Sequence, residues 1–121
     1  MSRGIAESDW KILRELHPIA LDRFCHRILK EIESAIADSS RSHHQRYRAI
    51  YGLVGRRDRE IADAFNDLRR STAVMRICYL RKLGLLCDEE FARFSEETRG
   101  AVQAFLGFAE RKQAASYPQE D

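Results

Sequence analysis

The stretch that decides the fold is IYGLVGRRDREIADAF, residues 50–65. It sets two glycines and the run Gly55-Arg56-Arg57-Asp58-Arg59-Glu60 between apolar neighbours. Such a run is either a loop that grips an anion or a charged turn of a longer helix. The phase of the apolar residues chooses between the two. Alternate steps of four and three from Tyr47 land on Tyr51, Val54, Asp58, Ile61, Phe65, Leu68, Thr72, Met75, Tyr79 and Lys82. The apolar phase before the charges continues after them, and a loop has no reason to keep register. The spacing therefore predicts one helix from His43 to Leu83, about 60 Å long at 1.5 Å per residue. Each glycine costs it about 1 kcal/mol relative to alanine. A kink near Gly52–Gly55 is the competing expectation.

Both ends of that span carry stop and start signals. Ser42 and Gln45 have capping-box spacing, so the helix starts near His43. Gly84 suits the C′ position, with Arg81 and Lys82 in the last turn, where the helix dipole favours cations. Upstream, Ser8-Asp9 caps a short helix carrying Trp10, Ile12, Leu13 and Leu16. Pro18 disfavours helical geometry at His17 and suits the first turn of a new helix. Leu21, Cys25, Ile28, Ile32 and Ala35 then mark an amphipathic helix over 18–38, ended by Asp38-Ser39-Ser40-Arg41-Ser42. Downstream, Cys87-Asp88-Glu89-Glu90 opens a short helical turn through Phe91 and Phe94. Ser95 caps a last helix over 96–113, with Glu96 and Glu97 in its first turn. Residues 1–113 form one domain, and 114–121 are expected to be a mobile tail.

These pieces predict an all-α fold: a long central helix with shorter antiparallel helices packed along both halves. A hairpin of two helices buries its stripe poorly, so the bundle is expected to be completed by a homodimer. With 44% hydrophobic and 33% charged residues, the 121-residue chain fits one folded domain and not a disordered one. The N-terminus has no apolar signal region, no stretch is long and apolar enough for a membrane span, and three cysteines form no C-x-x-C pair. A cytoplasmic chain with free thiols is the expectation.

The net charge of +2 is unevenly placed. Residues 1–40 carry six basic and seven acidic side chains, residues 41–82 eleven and four, residues 83–121 four and eight. Seventeen of the 21 basic residues are arginine, whose planar fork suits carboxylates and phosphates. Arg46, Arg48, Arg56, Arg57, Arg59, Arg69 and Arg70, near Tyr47 and Tyr51, are candidate contacts for an anion or nucleic acid. Against this, Arg56–Glu60, Arg59–Asp63 and Asp67–Arg70 are helix-spaced ion pairs, so a solvated, salt-bridged face is the simpler reading. Asp58, with Asn66 and Thr72, is a candidate polar seam that sets helix register in an assembly.

Neither metal nor cofactor is expected. His43 and His44 are adjacent and diverge by about 100° on a helix, as do Cys25 and His26, and no H-E-x-x-H or E-x-x-H motif occurs. Cys25 and Cys78 sit among apolar residues, as small core residues do. Cys87, near a helix N-terminus, is the one candidate for a mildly reactive thiol. No catalytic constellation accompanies it, so the expected function is non-enzymatic: a cytoplasmic, homodimeric interaction or scaffold module. Nucleic-acid binding by the basic centre is the alternative. The apolar segment Trp10–Leu16 packs on its own bundle or docks on a partner.

Overall fold

The computed structural model describes residues 4–116, with side chains described through residue 107. The order is α1 (Glu7–Ala37), α2 (His43–Phe65), a 3₁₀ turn (Arg70–Thr72), α3 (Ala73–Lys82), α4 (Asp88–Phe91) and α5 (Glu96–Ser116). The fold is all-α, with a long helix packed against shorter ones and no strand among the described residues.

The longest helix is α1, at 31 residues, and it passes through Pro18 without ending. Proline removes one donor and clashes with the carbonyl four residues back, which is why a boundary was expected there. Burial overrides that local cost. Leu13, Leu16, Ala20, Phe24 and Ile28 all lie inside, in steps of three and four that cross Pro18 in phase. Of the expected stripe Ile28 is buried, while Leu21, Cys25, Ile32 and Ala35 are only half-buried, so the core stripe is centred further round, on Ala20 and Phe24. The segment from Trp10 to Leu16 is thus the first part of α1, packed on its own bundle.

Asp38 ends α1, and Ser42 opens α2 with the expected reciprocal capping box: the Gln45 backbone N–H donates to Ser42 Oγ and the Ser42 N–H to Gln45 Oε1. The helix continues unbroken through Gly52, Gly55 and the charged run, as the phase argument requires. It does not reach Leu83. It stops at Phe65, and Asp67 takes a left-handed conformation at φ 62°. Asn and Asp tolerate that region better than other side chains, and here they sit side by side at 66 and 67. Thr72 fixes the turn, its hydroxyl donating to Asp67 O and accepting from the Arg69 N–H. The expected rod is therefore two helices, and in the second part Ala73, Ile77, Cys78 and Leu80 are buried while Met75 is exposed. The continuous phase into Met75 and Tyr79 was a coincidence of spacing.

α2 lies antiparallel on α1: Arg57 meets Glu31, and the Phe65 ring meets those of Phe24 and His17. After the turn the chain reverses. Arg70 bonds Glu7 and Ile5 O, while Leu83 O and Gly84 O meet Arg27, so α3 runs in the same direction as α1. Gly84 ends α3 at φ 70°, with Leu85 N–H donating to Leu80 O, the expected glycine stop. Residues 85–95 then return along α1, through Arg23–Glu90, Arg93–Glu15 and Ser95–Asp9. This return resets the direction, so α5 runs parallel to α3 and not antiparallel to it: Thr98 lies near Val74, and Cys78 Sγ contacts Val102 O. Helix α5 continues to Ser116, past the expected boundary at 113, and the rest of the expected tail lies outside the described residues.

One core results, built from α1, the end of α2, α3, the return segment and α5, with Phe94, Leu13, Leu16, Ile77, Leu80, Leu85 and Val102 fully inside. Leu53 is buried in the hairpin but stands apart from that core.

Candidate functional site

The arginines explain themselves first. A helix leaves its last carbonyls without intrahelical partners, and a guanidinium is well placed to satisfy them. Arg46 donates to Ile36 O at the end of α1, and Arg76 to Asp63 O and Asn66 O at the end of α2. Arg27 does the same for Leu83 O and Gly84 O at the end of α3, while Arg23 and Arg81 donate to Leu85 O and Leu86 O of the loop that follows. Arg23 also makes a bidentate pair with Glu90 at 2.7 and 2.8 Å, which brings the Glu90 carboxyl down to about 2.

Of the seven candidate anion contacts, four are engaged within the chain. Arg46 caps α1. Arg57 bridges Glu31 and Glu60, and the bond from Arg57 holds the Glu31 carboxyl below its ordinary range. Arg69 pairs with Asp67, and Arg70 with Glu7 and Ile5 O. Arg48, Arg56 and Arg59 make no hydrogen bond to another described residue. They lie exposed on α2, with Arg56 also acting electrostatically on Glu31. The structure therefore does not bring the seven together as one patch. A space of about 350 Å³ beside His44, Tyr47, Arg48, Tyr51 and Gly52 lies along the outside of α2 alone and is not a cleft.

The candidate polar seam also disperses. Asp58 is exposed on the rim of a groove, Asn66 is the C-cap of α2, and Thr72 is a brace of the turn. Among the described residues no three His, Cys, Asp or Glu side chains group as metal ligands would. Cys78 is buried, which pushes its thiol up to about 11. Cys87 is exposed and N-caps α4, its backbone N–H donating to Glu90.

One buried carboxylate escaped the sequence reading. Asp9, expected as a cap of its own helix, is 1% exposed and instead braces Ser95, the N-cap of α5. It accepts from Ser95 N–H at 2.8 Å, Ser95 Oγ–H at 2.6 Å and Thr98 Oγ1–H at 2.7 Å. Burial pushes its carboxyl up, and these bonds more than offset that, holding it below its ordinary value. It ties the start of α1 to the start of α5. With three donors of the chain itself on its two oxygens, it is a structural knot. No periodicity in the sequence links positions 9 and 95.

What the arrangement leaves bare is one face of the α1–α2 hairpin. At about 100° per residue, Leu13, Leu16, Ala20, Arg23, Phe24 and Arg27 share one side of α1. That side carries α3, the return segment and α5. Pro18, Asp22, Cys25, Leu29 and Ile36 share the opposite side, where no helix packs among the described residues. Between α1 and α2 on that side runs an apolar groove of about 250 Å³, lined by Cys25, Ile28, Leu29, Ile32, Val54 and Ile61, with Arg57 and Asp58 at its edge. Leu29 is 57% exposed, Ile36 56%, Val54 46% and Tyr47 65%. These large side chains are exposed on one side of the hairpin.

No family model matches the chain, and neither a curated protein nor a solved structure shows significant similarity to it. The described helices include none long and apolar enough to cross a membrane.

Proposed function

We propose that this chain is a non-enzymatic, cytoplasmic interaction module that assembles as a homodimer through the bare face of its α1–α2 hairpin. The observation that carries this reading is the apolar groove itself. Leu29, Ile36, Tyr47 and Val54 stand exposed along one side of a hairpin whose other side is covered near its base by α3–α5. A second pair of helices laid on that face would make a four-helix layer of coiled-coil type. Other polar groups support the same reading by being engaged internally: Arg27 and Arg46 cap helix ends, and Asp9 holds Ser95, the N-cap of α5.

The test is solution mass by sedimentation equilibrium, for the parent chain and for Val54→Asp. A dimer at micromolar concentration, reduced to a monomer of unchanged helicity by Val54→Asp, is expected. A monomeric parent chain would overturn the reading. A second reading rests on Arg48, Arg56 and Arg59, which are exposed beside Tyr47 and Tyr51 and free of hydrogen bonds to other described residues. It assigns the outer side of α2 to an acidic partner such as nucleic acid. Heparin retention that falls steeply with salt and is lost in the triple alanine variant of these arginines would favour it.

A further inference from the structure

We infer that the second copy sits about a two-fold axis parallel to the hairpin, so that α1 of each copy lies antiparallel on α2 of the other, with Glu33 of one beside Arg59 of its mate. This rests on the homodimer proposed above and goes further, because it fixes which helix meets which.

The face is large enough for a stable pair. The face is as long as α2, whose 23 residues span about 34 Å at 1.5 Å per residue, and two helices wide, about 20 Å. That is roughly 700 Å² per copy, close to the ~800 Å² per partner of a stable interface. Two faces of this kind can mate in two ways. With the axis across the helices, α1 covers α1 and α2 covers α2. With the axis along them, α1 covers α2 of the other copy.

Charge separates the two. Following α1 round from Leu29 and Ile36, away from α2, the next exposed residues are Asp22 and Glu33. Its arginines Arg23 and Arg27 are turned the other way, onto Leu83–Leu85 and Glu90. The corresponding outer edge of α2 carries His44, Arg48 and Arg59, all exposed. The edge of α1 thus presents Asp22 and Glu33 nearest the face, with His26 and Lys30 further round, whereas the edge of α2 presents basic residues only. The axis across the helices sets acid on acid and base on base, whereas the axis along them sets each acidic edge on a basic one.

Register agrees. Arg57 with Glu31 and Phe65 with Phe24 mark common levels along the hairpin, and by the same count Gly55 lies level with Glu33. A two-fold axis along the hairpin keeps those levels between copies. Arg59 of the second copy then lies one turn from Glu33, about 6 Å along the axis, within the reach of an arginine. Gly55 has nothing within 4 Å of where a Cβ would stand, which leaves a gap for the edge side chains to cross. Helices α3–α5 lie behind both hairpins, so two copies side by side in this sense do not collide.

The experiment measures dimer dissociation by sedimentation for the parent chain, Glu33→Arg, Arg59→Glu and the double variant. Both sites are exposed, and circular dichroism checks that each variant keeps its helicity. Each single reversal puts like charges on both edges and is expected to weaken the dimer about threefold to tenfold, while the double variant returns to within about twofold of the parent. With the axis across the helices, the single reversals merely exchange one like pair for another and leave affinity unchanged. Unchanged singles, or singles whose losses add in the double variant, overturn this arrangement and leave the homodimer standing. A parent chain that is monomeric throughout overturns both.

Discussion

The two ends of the hairpin are built by different rules. At the base, α1 meets α3, the return segment and α5, and Leu13, Ala20, Ile77, Leu80 and Val102 have no exposed surface. At the far end, among the described residues, α1 and α2 pack on each other alone, only Leu53 of α2 before Ala64 is buried, and Leu29, Ile36, Tyr47 and Val54 are exposed. The polar groups divide in the same way. Asp9 at the base has all its bonds from Ser95 and Thr98, whereas Arg48 and Arg59 at the far end have none with described residues. One region closes its own core; the other offers a surface. The contrast teaches that apolar periodicity alone says a face will be covered, but not by what.

The sharpest way to break the contrast is to truncate one leucine in each region. Leu13→Ala leaves a cavity in the base and is expected to cost about 2–5 kcal/mol in urea unfolding. Leu29→Ala removes a side chain that is 57% exposed and is expected to change the unfolding free energy of the monomer by less than about 0.5 kcal/mol. Equal costs at the two sites would erase the distinction.

Next in size is the knot between α1 and α5. Asp9→Ala strands Ser95 N–H and two hydroxyls and is expected to cost about 2–3 kcal/mol, again read from urea unfolding. Its pH dependence has a definite sign. The folded Asp9 carboxyl lies below its ordinary value, so its contribution is complete above about pH 4 and is lost as the pH falls through the folded value. Glu90 acts in the same direction, with a folded value of about 2. His17 acts earlier. Burial lowers it first, with Arg76 adding to the effect and a bond with the Phe65 backbone opposing. The unfolded chain then takes up the proton more readily, and stability declines as the pH falls below about 6.5. Acid titration of stability should therefore show two stages, and Asp9→Asn should make only the lower one shallower.

Smaller effects sharpen the account of how the base is latched. Arg27→Ala strips the end of α3 of its guanidinium and is expected to cost about 1 kcal/mol. Asp67→Ala places a less tolerant side chain at φ 62° and should cost about 1 kcal/mol, while Asp67→Gly should be near neutral. Equal stability for the alanine and glycine variants would deny that the left-handed turn matters.

Much of the fold was legible because its signals are local. The Ser42 cap, the Gly84 stop, the Ser95 cap and the helical reading of the charged run all depend on residues within a turn of one another, and all stand in the structure. The errors arise where tertiary packing outweighs local preference. Pro18 reads as a boundary, but the buried stripe from Leu13 to Ile28 carries the helix past it in phase, and Asn66-Asp67 is outvoted by an apolar phase that happens to continue. The candidate site was legible only in part. Its apolar stripe is periodic and visible, but the fate of the arginines is not, because an arginine that caps a distant carbonyl looks the same in sequence as one that waits for a partner.

The central claim, that the base is complete in one copy and the far end of the hairpin is not, is tested most directly by amide hydrogen exchange measured across protein concentration. Protection of residues 46–61 in α2 should rise with concentration, while that of α3 stays constant. Protection of 46–61 that does not change with concentration would contradict it.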